Sequence, residues 1–233
     1  CPTAANRENL ARENITKNVF LNGNTVIDAL KTTVVKDFTF AEDILNNLDY
    51  VNQKVILVTC HRRENYGQPM ENIMSALADV ARRHPETALV YPVHLSPVVQ
   101  ECAHRHLDGM ENVHLIPPLN VEEMHNLMAR CYLVMTDSGG LQEEAPALGK
   151  PVLVLRKETE RPEAVQAGTV KLAGVEYGRI TSLADELIDD PAAYAAMAHA
   201  ANPYGEGQAC RRIVDAIQWH FGQRTQPPEE FHP

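Results

Sequence analysis

The sequence has 233 residues, 44% of them hydrophobic, a formal net charge of −10 and an isoelectric point near 5.4. That length suffices for one full-sized core, or for one core and an appendage. An acidic balance excludes broad binding to a nucleic-acid backbone, which needs a basic face, and no apolar run is long enough to span a membrane. The five cysteines, Cys1, Cys60, Cys102, Cys131 and Cys210, show no CxxC and no metal-ligand spacing. They read as reduced thiols of an intracellular protein, with no metal expected. There is no signal-peptide pattern. The chain opens on Cys1 rather than Met, as a fragment of a longer protein would.

Residues 1–50 are expected to form a lead-in or linker segment that packs on a domain. Ala4–Glu13 and Val26–Thr33 have helical character, with a short strand at Val19–Leu21 between them. The next stretch alternates short apolar runs with amphipathic ones. The runs are Val55–Val58, Ala88–Tyr91, Val113–Ile116, Leu133–Met135, Val152–Leu155 and Val170–Ala173. Being short, often β-branched and apolar nearly throughout, they predict strands buried on both faces of a parallel sheet. Between them lie predicted helices at Glu71–His84, Pro97–His106, Val121–Ala129, Leu141–Leu148 and Arg161–Ala167. Such alternation predicts an α/β, doubly wound domain over residues 51–222, with the strand ends aligned on one edge. Its tail is helical over Ile180–Asp189, Ala192–Ala200 and Gln208–Phe221, and the polar, proline-rich residues 223–233 are expected to fray.

Ligands of open parallel sheets bind beyond the carboxyl ends of the strands, and here a polar cluster follows each of four predicted strands. Cys60-His61-Arg62-Arg63-Glu64-Asn65 places three cation-capable side chains beside one carboxylate, fit for a phosphate or sugar or for a solvated loop of ion pairs. Pro92-Val93-His94-Leu95-Ser96-Pro97 puts His94 on the same edge, with Ser96 read as the N-cap of the next helix. The third cluster, Thr136-Asp137-Ser138-Gly139-Gly140, turns from strand to helix. Its glycines would let a phosphate approach the backbone, and Asp137 or Ser138 is the candidate cap. Glu144, one turn on, suits ribose hydroxyls better than phosphate. Finally, Arg156-Lys157-Glu158-Thr159-Glu160-Arg161-Pro162 leaves Arg161 at a helix N-terminus, where a cation is disfavoured unless an anion lies between. Four clusters at four strand ends point to one crevice and a phosphorylated ligand, most simply a nucleotide. The loop lacks the GK[ST] of a Walker A motif.

Several long strings carry a resemblance: TCHRREN (59–65), YPVHLSP (91–97), TDSGGLQEEAPALGKPVLVLR (136–156), ERPEAVQAGT (160–169), NPYGEGQA (202–209) and GNTVIDAL (23–30). Over residues 1–221 the chain resembles the non-hydrolysing UDP-N-acetylglucosamine 2-epimerases. The resemblance implies the carboxyl-terminal, Rossmann-like half of a two-domain GT-B architecture, the arrangement shared with one large class of glycosyltransferases. The active site then lies between the halves, and a missing amino-terminal domain supplies the acidic residues of proton transfer. It further implies that His61 is catalytic, that Ser138, Gly139 and Gly140 bind phosphate, that Glu144 holds the ribose and that Arg161 contacts the nucleotide-sugar. Arg62 and His94 match positions that contact a second, activating UDP-N-acetylglucosamine. Leu119 and Met124 stand where some members carry a glutamine and an aromatic residue near the uracil, so backbone groups of 115–119 are left to recognise the base.

The implied reaction inverts C2 of the sugar by eliminating UDP to a 2-acetamidoglucal and adding it back. No cofactor is implied. The implied setting is a cytoplasmic homodimer that binds UDP and UDP-N-acetylglucosamine and supplies N-acetylmannosamine units for polysaccharide. Three alternatives stay open: a glycosyltransferase domain of the same architecture, a hydrolysing epimerase, and a non-catalytic nucleotide-sugar-binding module.

Overall fold

The computed structural model describes residues 1–232 and divides the chain into two compact units, Val34–Ala200 and Cys1–Thr33 with Ala201–Pro233. These cuts differ from the boundaries expected at 50 and 222. Residues 34–50 fold with the sheet, and residues 201–222 fold with the first helices.

The larger unit holds six parallel strands: β1 (Val55–Thr59), β2 (Ala88–Pro92), β3 (Val113–Ile116), β4 (Leu133–Thr136), β5 (Val152–Val154) and β6 (Val170–Leu172). All six coincide with the apolar runs to within one residue at each end. Their order in the sheet is β3-β2-β1-β4-β5-β6. The chain thus winds outward from β1 to β3, returns to lay β4 against the other side of β1, and winds outward again. That reversal makes β1/β4 the topological switch point, where open sheets of this kind form their ligand crevice.

Alternation along the strands serves two faces. Ile56, Val58, Leu89, Tyr91, Met135 and Leu153 enter one continuous core cluster. Their neighbours Val55, Leu57, Val90, Val134 and Val154 are equally buried but lie outside it. Helices α4 (Gln68–Arg83), α5 (Pro97–Leu107) and α9 (Tyr177–Asp189) supply the cluster with Ile73, Leu77, Val99, Ile180 and Leu187. The unit is completed by α3 (Asp43–Asn47), α6 (Val121–Arg130), α7 (Leu141–Ala147), α8 (Pro162–Ala167) and α10 (Pro191–Ala198). Strand β3 departs from the expectation of full burial. It is an edge strand, with Val113, His114 and Leu115 only half-buried.

Helix starts follow local chemistry. Asn120 and Glu123 form a reciprocal capping box on α6, with bonds of 2.9 and 3.3 Å. Gly67, at φ 82°, turns the chain into α4 through a left-handed conformation that a side chain would strain.

The smaller unit contains α1 (Ala4–Arg12), α2 (Thr25–Thr33) and α11 (Ala209–His220). Asp28 of α2 accepts the first amides of α11, from Ala209 at 3.0 Å and Cys210 at 2.9 Å. One sequence expectation fails here. Val19–Leu21 is not a strand, because no ladder forms beside it; Leu21 meets only the Phe231 amide, at 2.8 Å, and the Glu230 carboxylate. The tail is held at a few residues, while most of its others are exposed. Phe231 is 4% exposed, and Glu230 pairs with Arg7 at 2.8 Å. Composition missed one aromatic anchor in a polar, proline-rich stretch. Pro233 of that expected tail lies outside the described residues.

Candidate functional site

The switch point is built around a buried carboxylate. Thr59 and Thr136, the last residues of β1 and β4, stand in register, with their hydroxyl oxygens 2.6 Å apart. The next residue, Asp137, is fully buried and extends the pairing by donating its amide to the Thr59 carbonyl at 3.1 Å. Its Oδ2 accepts the amides of His61 at 2.8 Å and Arg62 at 2.7 Å, and the Asn65 side-chain NH2 at 3.1 Å. Asn65 also donates to the Leu155 carbonyl at 3.0 Å. One carboxylate thereby holds the loop after β1 to the loop after β4, and Asn65 adds the end of β5.

Asp137 is therefore not the helix cap suggested by the sequence, and neither is Ser138. Gly140 occupies the N-cap position of α7 without a side-chain bond, while the Ser138 amide donates to Thr136 Oγ1 at 2.9 Å. The neighbouring Cys60 thiol is pushed well above its usual range, first by burial and then by the Asp137 charge. It is a core thiol rather than a nucleophile.

Two guanidinium groups converge beside Gly139. A β-carbon there would lie 3.6 Å from Arg62 Nη2 and 3.9 Å from Arg161 Nη2. Neither Gly139 nor Gly140 has a positive φ, and a β-carbon at either would meet only ordinary van der Waals contacts, so the glycines leave the recess open rather than relieve strain. Arg161, the N-cap residue of α8, binds Glu143 through Nε and donates from Nη1 to the Glu160 carbonyl at 3.2 Å. Arg62 Nη1 stands 3.9 Å from Glu160 Oε1. Below them the nearly buried Arg156 donates to Glu64 at 2.6 Å and grips Glu160, which holds Glu160 ionised down to about 2.

A second chain of bonds fixes the loop after β5. The Arg161 amide donates to Thr159 Oγ1 at 3.0 Å, Thr159 to Gln142 Oε1 at 2.5 Å, and Gln142 Nε2 to the Ser138 carbonyl at 3.0 Å.

His61 and His94 stack, with ring centres 5.1 Å apart at 29°. His94 Nδ1 accepts the Ser96 amide at 3.0 Å, which leaves Nε2 to carry the proton of the neutral ring. Ser96 occupies the N-cap position but does not cap with its side chain; its hydroxyl accepts from Tyr66 at 3.2 Å. The expected capping role is thus corrected, because a neighbouring phenol competes for the hydroxyl.

Glu144 projects from α7 with 13% of its side chain exposed, its Oε1 3.9 Å from a β-carbon built on Gly140 and its Oε2 3.8 Å from His125 Nε2. Burial raises the Glu144 pKa, and the Glu143 charge adds to it. Burial also raises Glu143, against the pull of Arg161. Burial lowers the pKa of His125.

All the residues singled out from the sequence, His61, Arg62, His94, Ser138, Gly139, Gly140, Glu144 and Arg161, stand on the loops or first turns that follow β1, β2, β4 and β5. The residues that hold them, Asp137, Asn65, Gln142, Thr159 and Arg156, were not given those tasks by the sequence. The readable signal was a polar residue placed immediately after a fully apolar strand, where it must be buried and partnered. A cavity of about 460 Å³ in the smaller unit, lined by Leu10, Val19, Phe20, Ile213, Ile217 and Phe221, is apolar and lacks these groups.

Two outcomes follow. Asp137→Ala leaves two loop amides and Asn65 without their acceptor and is expected to lower stability by about 3 kcal/mol in chemical denaturation; an unchanged midpoint would remove its organising role. Glu144→Gln is expected to raise the Tm near pH 7. A raised folded-state pKa means that the ionised form destabilises the fold, so the deficit of Glu144 appears as pH rises above its ordinary value of 4.5 and vanishes below it. A Tm gain that is flat between pH 4 and pH 8 would contradict this.

The UDP-N-acetylglucosamine 2-epimerase family model matches residues 1–218. A Clostridium acetobutylicum relative is 55% identical over 233 residues, all of this chain and 60% of its own length. The UDP-N-acetylglucosamine 2-epimerase of Bacillus subtilis is 49% identical over 232 residues, 99% of this chain and 60% of its own length. The crystal structure of the UDP-N-acetylglucosamine 2-epimerase from Neisseria meningitidis, bound to UDP-N-acetylglucosamine, superposes with a TM-score of 0.87 at 43% identity, covering 94% of this chain and 60% of that one. This chain therefore spans about 60% of the length of the relatives it matches, and it belongs to the UDP-N-acetylglucosamine 2-epimerase family.

Proposed function

We propose that this chain is the nucleotide-binding, leaving-group half of a UDP-N-acetylglucosamine 2-epimerase. The observation that carries the reading is the convergence of Arg62 and Arg161 on Gly139 at the β1/β4 switch point. A glycine flanked by two guanidinium groups is a recess shaped for a small, multiply charged anion, and arginine is suited to phosphate because its donors are planar and paired.

In this reading the diphosphate lies over Gly139 and Gly140, with Ser138 donating its hydroxyl. Glu144, held back from other cations, accepts hydrogen bonds from the ribose. The Leu119 and Met124 side chains are half-buried and unable to pair with a base edge, so uracil is read by backbone groups of 115–119. Arg161 and Arg62 neutralise charge on the leaving UDP as the C1–O bond breaks, the step at which a preorganised cation stabilises the transition state more than the ground state. His61, set beside this recess by Asp137, donates a hydrogen bond or proton near the departing oxygen. His94 stacks on His61, so a second UDP-N-acetylglucosamine held by Arg62 and His94 would touch the first ligand's site directly.

Elimination also needs a base at C2–H. The reading assigns that base to the part of the relatives' length that this chain does not span. Residues 1–233 alone are accordingly expected to bind UDP and not to interconvert the gluco and manno epimers. Robust epimerisation by this chain, followed by NMR of the sugar anomeric signals, would overturn the division of labour.

The phosphate assignment is tested separately. Arg161 also neutralises Glu143, so the comparison is made in a Glu143→Gln background. There, Arg161→Ala is expected to weaken UDP binding about tenfold or more in calorimetry while changing uridine binding little. Equal losses for the two ligands would show that Arg161 does not meet phosphate.

A further inference from the structure

Outside the crevice, one cluster brings three different metal-ligating side chains together across two helices. Cys102 and His106 are four residues apart on α5 and share one face of that helix. Glu71, in the first turn of α4, faces them. His106 Nε2 lies 2.7 Å from Glu71 Oε2, and Cys102 Sγ lies 3.7 Å from Glu71 Oε1. One ligand atom from each residue falls within 4.8 Å of the others, a grouping of three found nowhere else among the described residues.

We propose that Glu71, Cys102 and His106 form a binding site for one divalent transition-metal cation of the zinc class, which ties α4 to α5. A thiolate with an imidazole selects zinc-like ions over magnesium or calcium, which require oxygen donors. Tetrahedral coordination at zinc bond lengths separates a sulfur from an oxygen ligand by about 3.5 Å and a nitrogen from an oxygen by about 3.3 Å. Cys102 Sγ lies 3.7 Å from the other oxygen of the same carboxylate, Oε1, so the sulfur is already beside the carboxylate that would hold the ion. The His106–Glu71 hydrogen bond must open by about half an ångström, within reach of side chains that are 23% and 35% exposed. Those two side chains also provide the path of entry, and the fourth position is left for water.

The surroundings suit the role. Ser75 Oγ lies 3.4 Å from His106 Nδ1, an outer contact that orients the ring and turns Nε2 towards the cluster. Arg105 binds Glu71 Oε1 and leaves Oε2 for the ion. Binding replaces the Cys102 S–H proton with the metal, forming a metal–thiolate bond and releasing that proton to solvent. The affinity must therefore rise with pH. Glu71, the Cys102 thiolate and neutral His106 together carry two negative charges, which the ion cancels.

Cobalt(II) is the probe, used on the full chain with Cys1→Ser and Cys210→Ser in the background, because those two thiols are accessible. The expected result is a near-ultraviolet thiolate-to-cobalt charge-transfer band that saturates at one equivalent and is bleached by one equivalent of zinc. Cys102→Ser abolishes the band, and His106→Gln and Glu71→Gln each weaken cobalt binding at least tenfold. Because Cys102 is buried and its variant could fail to fold, the two variants at the partly exposed His106 and Glu71 are decisive on their own. No band, a band that survives Cys102→Ser in a folded chain, or an affinity indifferent to both His106→Gln and Glu71→Gln would overturn the site.

Discussion

The Asp137 carboxylate is the constraint on which the candidate site depends. Burying a charge costs several kcal/mol unless donors surround it. Here the donors are the amides of His61 and Arg62 and the Asn65 side chain, all from the loop after a different strand. The loop after β1 therefore cannot move without stranding a buried charge. The same bonds decide where the His61 ring and the Arg62 guanidinium emerge. Asp137 touches no expected ligand atom, yet it sets the position of two residues that would.

A second constraint is electrostatic. The chain carries a net charge of −10, but the recess at Gly139 is lined by guanidinium groups. Arg156 contributes locally by pairing with Glu64 and Glu160, so that their charges are met by a buried cation. Glu143 does the same for one edge of Arg161, whose Nη2 faces Gly139. Glu144 is the exception: a half-buried carboxylate whose pKa is raised by its burial and by the Glu143 charge.

Family membership and site geometry address different parts of the chemistry. Membership in the UDP-N-acetylglucosamine 2-epimerase family explains why a dinucleotide-type fold carries a crevice with no glycine-rich dinucleotide loop and no P-loop. The geometry shows what the crevice is made of: two arginines beside two glycines, and a serine, on loops tied together by Asp137, Gln142 and Thr159.

The sequence by itself determined the six strands, the helices between them and the loops that bear the candidate site. Apolar, β-branched runs of three to five residues have few alternatives to a buried parallel strand, and the polar clusters after them can only sit at strand ends. It also named His61, Arg62, Ser138, Gly139, Gly140, Glu144 and Arg161. What only the tertiary structure decided is the order of the strands, and with it the meaning of those clusters. Periodicity is local, and nothing local places β4 beside β1; that pairing brings Asp137 to His61 and Arg62 to Gly139 across 75 residues or more of chain. The cap roles of Ser96 and Asp137 were misread for the same reason, since their actual partners, Tyr66 and the β1 loop, are distant in sequence. The anchoring of Phe231 against Leu21 is likewise a contact that composition cannot express.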